Sequence, residues 1–409
     1  MRKDRIKSFL RSDFQFYIFL LVSILMPLTK KYLPMMMALW VLSGLISIRR
    51  IKMESYKNMI LIAFPLLFYL VHCIGVLYSN DLNNGLFDLE VKLTILFIPF
   101  VTYFMTDKIK LNYRLILKVF IAGNFIASII CIIYALNSSI QFTDTGSLIL
   151  ETSSWPTVTE GMSFFQLINH RFSYFSYNYL SKIHHPSYYS IYIIFTITIL
   201  VYCIKTSKKR NIGYYILILY FSLFIWLLGS RAAYITYLIC FLSFFFITIL
   251  HYKKHWIGIV ILILGIFLTI IIMKNSQIIK NIKETTDIVE NGQVLTKDSD
   301  IRLWLWKSGI EVFMENPIFG VGTGDIDKEM KEKYEKYELL MAQKLKYNTH
   351  NQFLDVAVKL GVLGLISLIG WILVTMIKSI REKQFLLFYF ILIITINFFF
   401  EVILNTIAG

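Results

Sequence analysis

Three side chains spread along 409 residues could together handle a proton and a phosphate: Arg231 in LLGSRAAYITYLI, Arg302 in DSDIRLWLWKSGIEV and His350 in YNTHNQFLDVAVKLGVLGL. A neutral imidazole accepts a proton from a hydroxyl near neutral pH. A guanidinium grips phosphate oxygens as a bidentate fork and needs no metal to do so. Each also has an ordinary reading. The histidine could be a polar helix-end residue, and the arginines could snorkel to lipid headgroups.

Whether the three can meet depends on the elements that carry them. The chain is 57% hydrophobic and 16% charged, too apolar to hide its surface in a single soluble core. About eleven apolar runs are long enough to cross a bilayer, near 14–29, 32–48, 58–78, 90–106, 115–136, 187–204, 212–229, 232–250, 256–273, 352–377 and 385–408. The expected fold is therefore all-α, a polytopic membrane helix bundle forming a single domain over 1–409. No cleavage site separates the first two runs, so the first reads as a retained span.

Lys and Arg collect in one set of short loops, including RRIKMESYK, DKIKLNYR, KTSKKRN and KSIREK. That set is expected on the cytoplasmic side. The net charge of +15 then reflects membrane anchoring and calls for no nucleic acid. Cys73, Cys131, Cys203 and Cys240 fall inside apolar runs without CxxC spacing, which predicts neither disulfide nor metal.

Two long insertions, 137–184 and 274–351, fall on the opposite side, where a functional site is expected. The first is aromatic, with Trp155, Phe164, Phe165, Phe172, Tyr174, Phe175, Tyr177 and Tyr179, fit for a headgroup belt or a platform for sugar rings. It ends with His184 and His185 ahead of Pro186, where the next span would start. In the second, Asp300 is the expected N-cap of an amphipathic helix lying on the membrane surface, with Ile301, Trp304, Leu305, Ser308 and Val312 on one face, closed by Pro317. Trp304 and Trp306 would lie among headgroups.

The glycines of GVGTGD lack the lysine and spacing of a phosphate loop and read as a flexible turn. Beyond them, Met330, Tyr334, Tyr337 and Met341 recur at helical spacing in a solvated helix. Thr349 and Gln352 have capping-box spacing, which would start the tenth span at His350, in a first turn that favours the neutral ring. Small residues Ala357, Gly361 and Gly364 mark that helix as closely packed.

At that outward mouth the three residues suit displacement at the anomeric carbon of a sugar carried on a lipid diphosphate. The arginines would stabilise charge gathering on the leaving group while the histidine deprotonates the incoming hydroxyl. A transporter would instead need paired broken helices and midplane charges, of which Lys92, Lys118 and Lys359 are the few examples here.

NTHNQFLDVAVKLGVLGL resembles the HNxxL...GxxGL signature of the bacterial O-antigen ligase family, and GSRAAYI and SDIRLWLWKSGIEVFMENPIFGVGTGD resemble its preceding segments, together over 229–365. The resemblance implies a GT-C-like polytopic glycosyltransferase of the inner membrane with twelve spans, one more than counted here. It implies periplasmic, inverting, metal-independent transfer of a glycan from undecaprenyl diphosphate to lipid A core, without a cofactor. His350 would be the base and Arg231 and Arg302 the diphosphate clamp, with His185, Asn351 and Asp355 as secondary candidates. Polymerases and protein O-oligosaccharyltransferases of the same superfamily share this layout and differ in acceptor. Lys359 stands where the family has an acid, and Asp355, one turn earlier, is the nearest carboxylate.

Overall fold

The structure, a computed structural model, describes residues 13–47, 59–103, 107–142, 148–150, 168, 173–207, 211–252 and 301–406. The run at 256–273, the Asp300 cap and the aromatics Trp155, Phe164, Phe165 and Phe172 lie outside these residues. In chain order the helices are α1 (Phe14–Leu25), α2 (Leu33–Ser47), α3 (Ile60–Leu77), α4 (Leu82–Val91), α5 (Leu93–Tyr103), α6 (Asp107–Leu111) and α7 (Tyr113–Ser139). A small antiparallel hairpin, β1 (Ile140–Phe142) with β2 (Leu148–Leu150), begins the first insertion. Then come α8 (Tyr177–Leu180), α9 (Pro186–Thr206), α10 (Ile212–Leu228), α11 (Arg231–Tyr252), α12 (Ile301–Glu315), α13 (Ile326–Lys336), α14 (Leu340–Lys344), α15 (Gln352–Arg381) and α16 (Phe385–Phe398), before a 3-10 turn at Ile403–Asn405.

Ten of the eleven expected runs thus coincide with apolar helices. Among the described residues α3, α7, α9 and α15 are long and apolar enough to cross a membrane, while α1, α10 and α16, and the apolar stretches of α2 and α11, are shorter. The last run is the largest departure, because its helix stops at Phe398 rather than reaching 408. Polar groups end it: Asn397 turns its amide back to the Ile393 carbonyl (2.8 Å), and Glu401 is buried with partners outside the helix.

The chain forms two compact units, one from Met1–Phe19, Pro34–Tyr113 and Glu284–Gly409, the other from Leu20–Leu33 and Arg114–Lys283. In the first, α15 packs on α3, α12 and α16. The inward stripe of α3 is Pro65, Phe68, His72, Gly75 and Val76, the three-and-four spacing of one helical face. A smaller core joins Leu305 and Val312 of α12, Ile326, Met330 and Tyr334 of the α13 region, Ala342 of α14 and Val358 of α15. Leu305, Ser308 and Val312 share a face of α12 as expected, but that face is buried against the protein, and Gly309 joins it because its missing side chain admits Leu354 and Thr349. Trp304 instead packs at a tilt against Tyr337, ring centroids 5.0 Å apart, with the Lys307 ammonium over both rings at 4.8 and 4.6 Å.

The helix expected through Met341 breaks after Lys336, with Glu338 at φ 55°, so Met330 and Tyr334 are buried and Met341 is exposed. GVGTGD departs further from expectation. It is a packed insert stitched to a break in α15 at Gly361, where φ is 63° and ψ is −156°. Val321 and Gly322 N–H groups donate to the Val358 and Lys359 carbonyls freed there (2.9 and 3.0 Å), and Val362 N–H donates to Pro317 (2.9 Å). A Cβ at Gly361 would collide with the Ile318 carbonyl, and one at Gly320 with the Lys359 backbone. Close backbone approach, rather than flexibility, is what those glycines provide.

In the second unit α9 is buried over most of its length between α10 and α11. Tyr189 of α9 donates to the Asn124 carbonyl of α7 at 3.1 Å, and Ser128 of α7 bonds Tyr220 of α10 at 2.8 Å.

Candidate functional site

Arg302 is the second residue of α12, and burial of Leu305, Ser308 and Gly309 against α15 brings that first turn beside the start of α15. There the chain passes Asn348, Thr349 and His350 before the helix begins. Asn351, not Thr349, is the N-cap: its side chain accepts the Leu354 N–H at 3.1 Å, while the Thr349 hydroxyl donates to the Asn351 carbonyl at 2.9 Å. An asparagine two residues further along has taken the capping role, so the expected capping box does not form. His350 accordingly stands outside the first turn, at φ 46°, with its N–H donating to Asn348 Oδ1 at 2.9 Å.

The partner of its ring is a residue the spacing arguments passed over. Glu401, just beyond α16, accepts from Arg302 Nη2 through Oε1 at 3.1 Å and contacts His350 Nδ1 through Oε2 at 3.2 Å. One buried carboxylate therefore joins two of the three expected site residues. The Glu401 side chain is 5% exposed, against 30% for Arg302 and 28% for His350, so the carboxylate is the fixed element and the basic groups open outward. With a carboxylate at Nδ1, the neutral ring carries its proton on that nitrogen and keeps the Nε2 lone pair free. The Tyr347 ring stands edge-on to the imidazole at 6.0 Å. A signal for Glu401 was present: it is the single acid between Phe385 and Gly409, inside the last apolar run.

Asp355 has another occupation. It pairs with Lys359 at 3.0 Å and accepts from Asn405 at 2.9 Å. Lys359 also pairs with Asp88 at 2.9 Å, and Asp88 with Lys92 at 2.7 Å. Burial pushes the Asp88 carboxyl up, but Lys359 and Lys92 outweigh it and hold it below the usual carboxylate range. Lys359 is thus the centre of a buried ion network.

Arg231 lies in the second unit as the first residue of α11 and is exposed. Gly229 caps α10 in the left-handed region (φ 62°), and the Ser230 hydroxyl caps α11 through Ala233 N–H at 3.4 Å. That corner presents Arg231 at a helix end. In the same unit His185 is the N-cap residue of α9, with Pro186 at the first helical position as expected, and meets Tyr177 and Tyr188 edge-on at 5.8 Å each. His184 is buried against Tyr192 and Tyr189; burial first, then Lys30, lowers its pKa to about 4, so it is neutral near pH 7.

Among the described residues no three His, Cys, Asp or Glu side chains are grouped to hold a metal ion. Comparison with known families matches residues 216–369 to a model described as O-antigen ligase, a stretch that contains Arg231, Arg302 and His350 and stops short of Glu401. No curated protein matches the chain.

Proposed function

From the premise that residues 216–369 belong to the O-antigen ligase family, we propose that this membrane protein is a metal-independent inverting glycosyltransferase. It moves a glycan from undecaprenyl diphosphate to a sugar hydroxyl of lipid A core, at the periplasmic face of the inner membrane. The observation that carries the reading is the Arg302–Glu401–His350 constellation.

In this mechanism the acceptor hydroxyl gives its proton to His350 Nε2 as its oxygen forms a bond to the anomeric carbon. The bond from that carbon to the diphosphate oxygen breaks on the opposite face, and its electron pair leaves with the diphosphate. Arg302 spends one N–H on Glu401 and keeps four for phosphate oxygens. Glu401 holds the ring in the tautomer with Nε2 free and stabilises the imidazolium that follows, as a carboxylate does for a histidine base. The lipid diphosphate and the inverted glycoside are the products, and the proton then passes from imidazolium to solvent.

The test is purified protein in lipid nanodiscs with a lipid-diphosphate glycan donor and lipid A core, with chelator present. Turnover should persist, and His350→Ala should lower kcat by about 10² to 10⁴ without loss of folded protein. Strict dependence on a divalent cation, or full activity of the variant, would refute the mechanism. Extension of the glycan on its carrier, in place of transfer to core, would identify the polymerase reaction of the same superfamily.

A further inference from the structure

Glu401 can orient His350 only if something holds Glu401. On its helix side the hold is backbone: Glu401 N–H donates to the Asn397 carbonyl at 2.9 Å. On the other side it is a short strap, residues 402–405, with Val402 and Ile403 buried. The strap is fastened to α15, the helix that begins two residues after His350. Leu404 N–H donates to Gln352 Oε1 at 2.8 Å, and Asn405 Nδ2 donates to Asp355 Oδ2 at 2.9 Å. Asn405 Oδ1 meanwhile accepts from Lys92 Nζ at 2.6 Å.

We infer that Asn405 is a positioning residue for the transfer reaction, clasping the Glu401 strap to α15 by bonding a buried anion and a buried cation at once. The inference rests on the glycosyl-transfer reading above. An amide alone among small side chains both donates and accepts at fixed geometry. A carboxylate at 405 could accept from Lys92 but would oppose Asp355, and an apolar residue would leave both charges short of a partner. The surrounding charges balance, Lys92 and Lys359 against Asp88 and Asp355, so the clasp adds no net charge beneath the site. The two ends of the clasp lie on α15 and at the start of α5, so it sets the carboxylate's place relative to His350 by linking elements remote in sequence.

The test is a double-mutant cycle with a second readout that needs no turnover. Asn405→Ala should lower kcat by about tenfold with donor KM within about twofold, and Asn405→Asp should do the same. In a Glu401→Gln background Asn405→Ala should change kcat by less than about twofold, because its effect passes through Glu401. Nitrogen-15 NMR of the His350 ring, assigned with His350→Ala, should show Nδ1–H in the parent and a shift toward the Nε2–H tautomer in both Asn405→Ala and Glu401→Gln. Independent, multiplying effects on kcat, or an unmoved ring signal in Asn405→Ala, would overturn the inference. A ring shift in a protein without transferase turnover would uphold the clasp and refute the catalytic reading instead.

Discussion

The first unit holds two charged clusters that share the start of α15 and differ in how far their groups are satisfied. In the Arg302–Glu401–His350 cluster the carboxylate is buried and the two basic groups are about 30% exposed, with donor positions to spare. In the Asp88–Lys92–Lys359–Asp355 cluster no side chain exceeds 11% exposure and each charge meets an opposite one. Unspent hydrogen-bonding capacity next to solvent is what a substrate needs. Saturated, buried pairs have little left to offer a ligand, but they tie α4, the start of α5, α15 and the C-terminal strap into one arrangement. The proposed site and its scaffolding are thus adjacent, and exposure distinguishes them.

The sharpest way to break that comparison is to unbalance the buried cluster. Lys359→Ala leaves Asp88 and Asp355 facing each other without their shared cation, and should cost about 3–5 kcal/mol in denaturant or thermal unfolding. Adding Asp355→Leu to Lys359→Met removes a complete pair and should recover much of the loss. If Lys359→Ala unfolds like the parent, the cluster is not the scaffold described here.

A smaller effect is expected at the break in α15. Gly361→Ala forces a side chain into the left-handed region against the Ile318 carbonyl and should cost about 1–3 kcal/mol. The loss should appear together with faster hydrogen exchange at Val321, Gly322 and Val362, whose N–H groups bond across the break. Asn351→Ala removes only the cap of α15 and should cost about 1 kcal/mol. It should lower activity more than Gly361→Ala does, because it loosens the residue next to His350.

The pH dependence should be the mildest effect near neutrality. Asp88 has a folded-state pKa below its ordinary value of about 3.9, so its stabilising contribution is fully present above that value and is lost as pH falls below it. Thermal scans should therefore show a constant contribution from this group between about pH 5 and 8, and a loss on going below about pH 4. Loss of that contribution already at pH 6 would mean that Asp88 is not held by its two lysines.

Much of this molecule is local and could be read locally. Hydropathy placed ten apolar helices, Pro186 marked the start of one of them, and three-and-four spacing put Leu305, Ser308 and Val312 on one face of α12. Arg302 and His350, which share the Glu401 carboxylate, stood out in the sequence because charged groups are costly beside apolar spans. Glu401 was visible in type and position, yet no spacing rule links it to His350 51 residues earlier.

Tertiary structure alone decided the pairings that matter most. Lys359 bonds Asp88 across 271 residues, and Pro317–Gly324 reaches α15 only because the helix opens at Gly361, a break that a continuous apolar pattern conceals. Helix periodicity and capping are short-range properties of the backbone, so the sequence by itself determines them. Which carboxylate meets which cation depends on how faces pack once the chain has folded, and on the cost of leaving any buried charge alone.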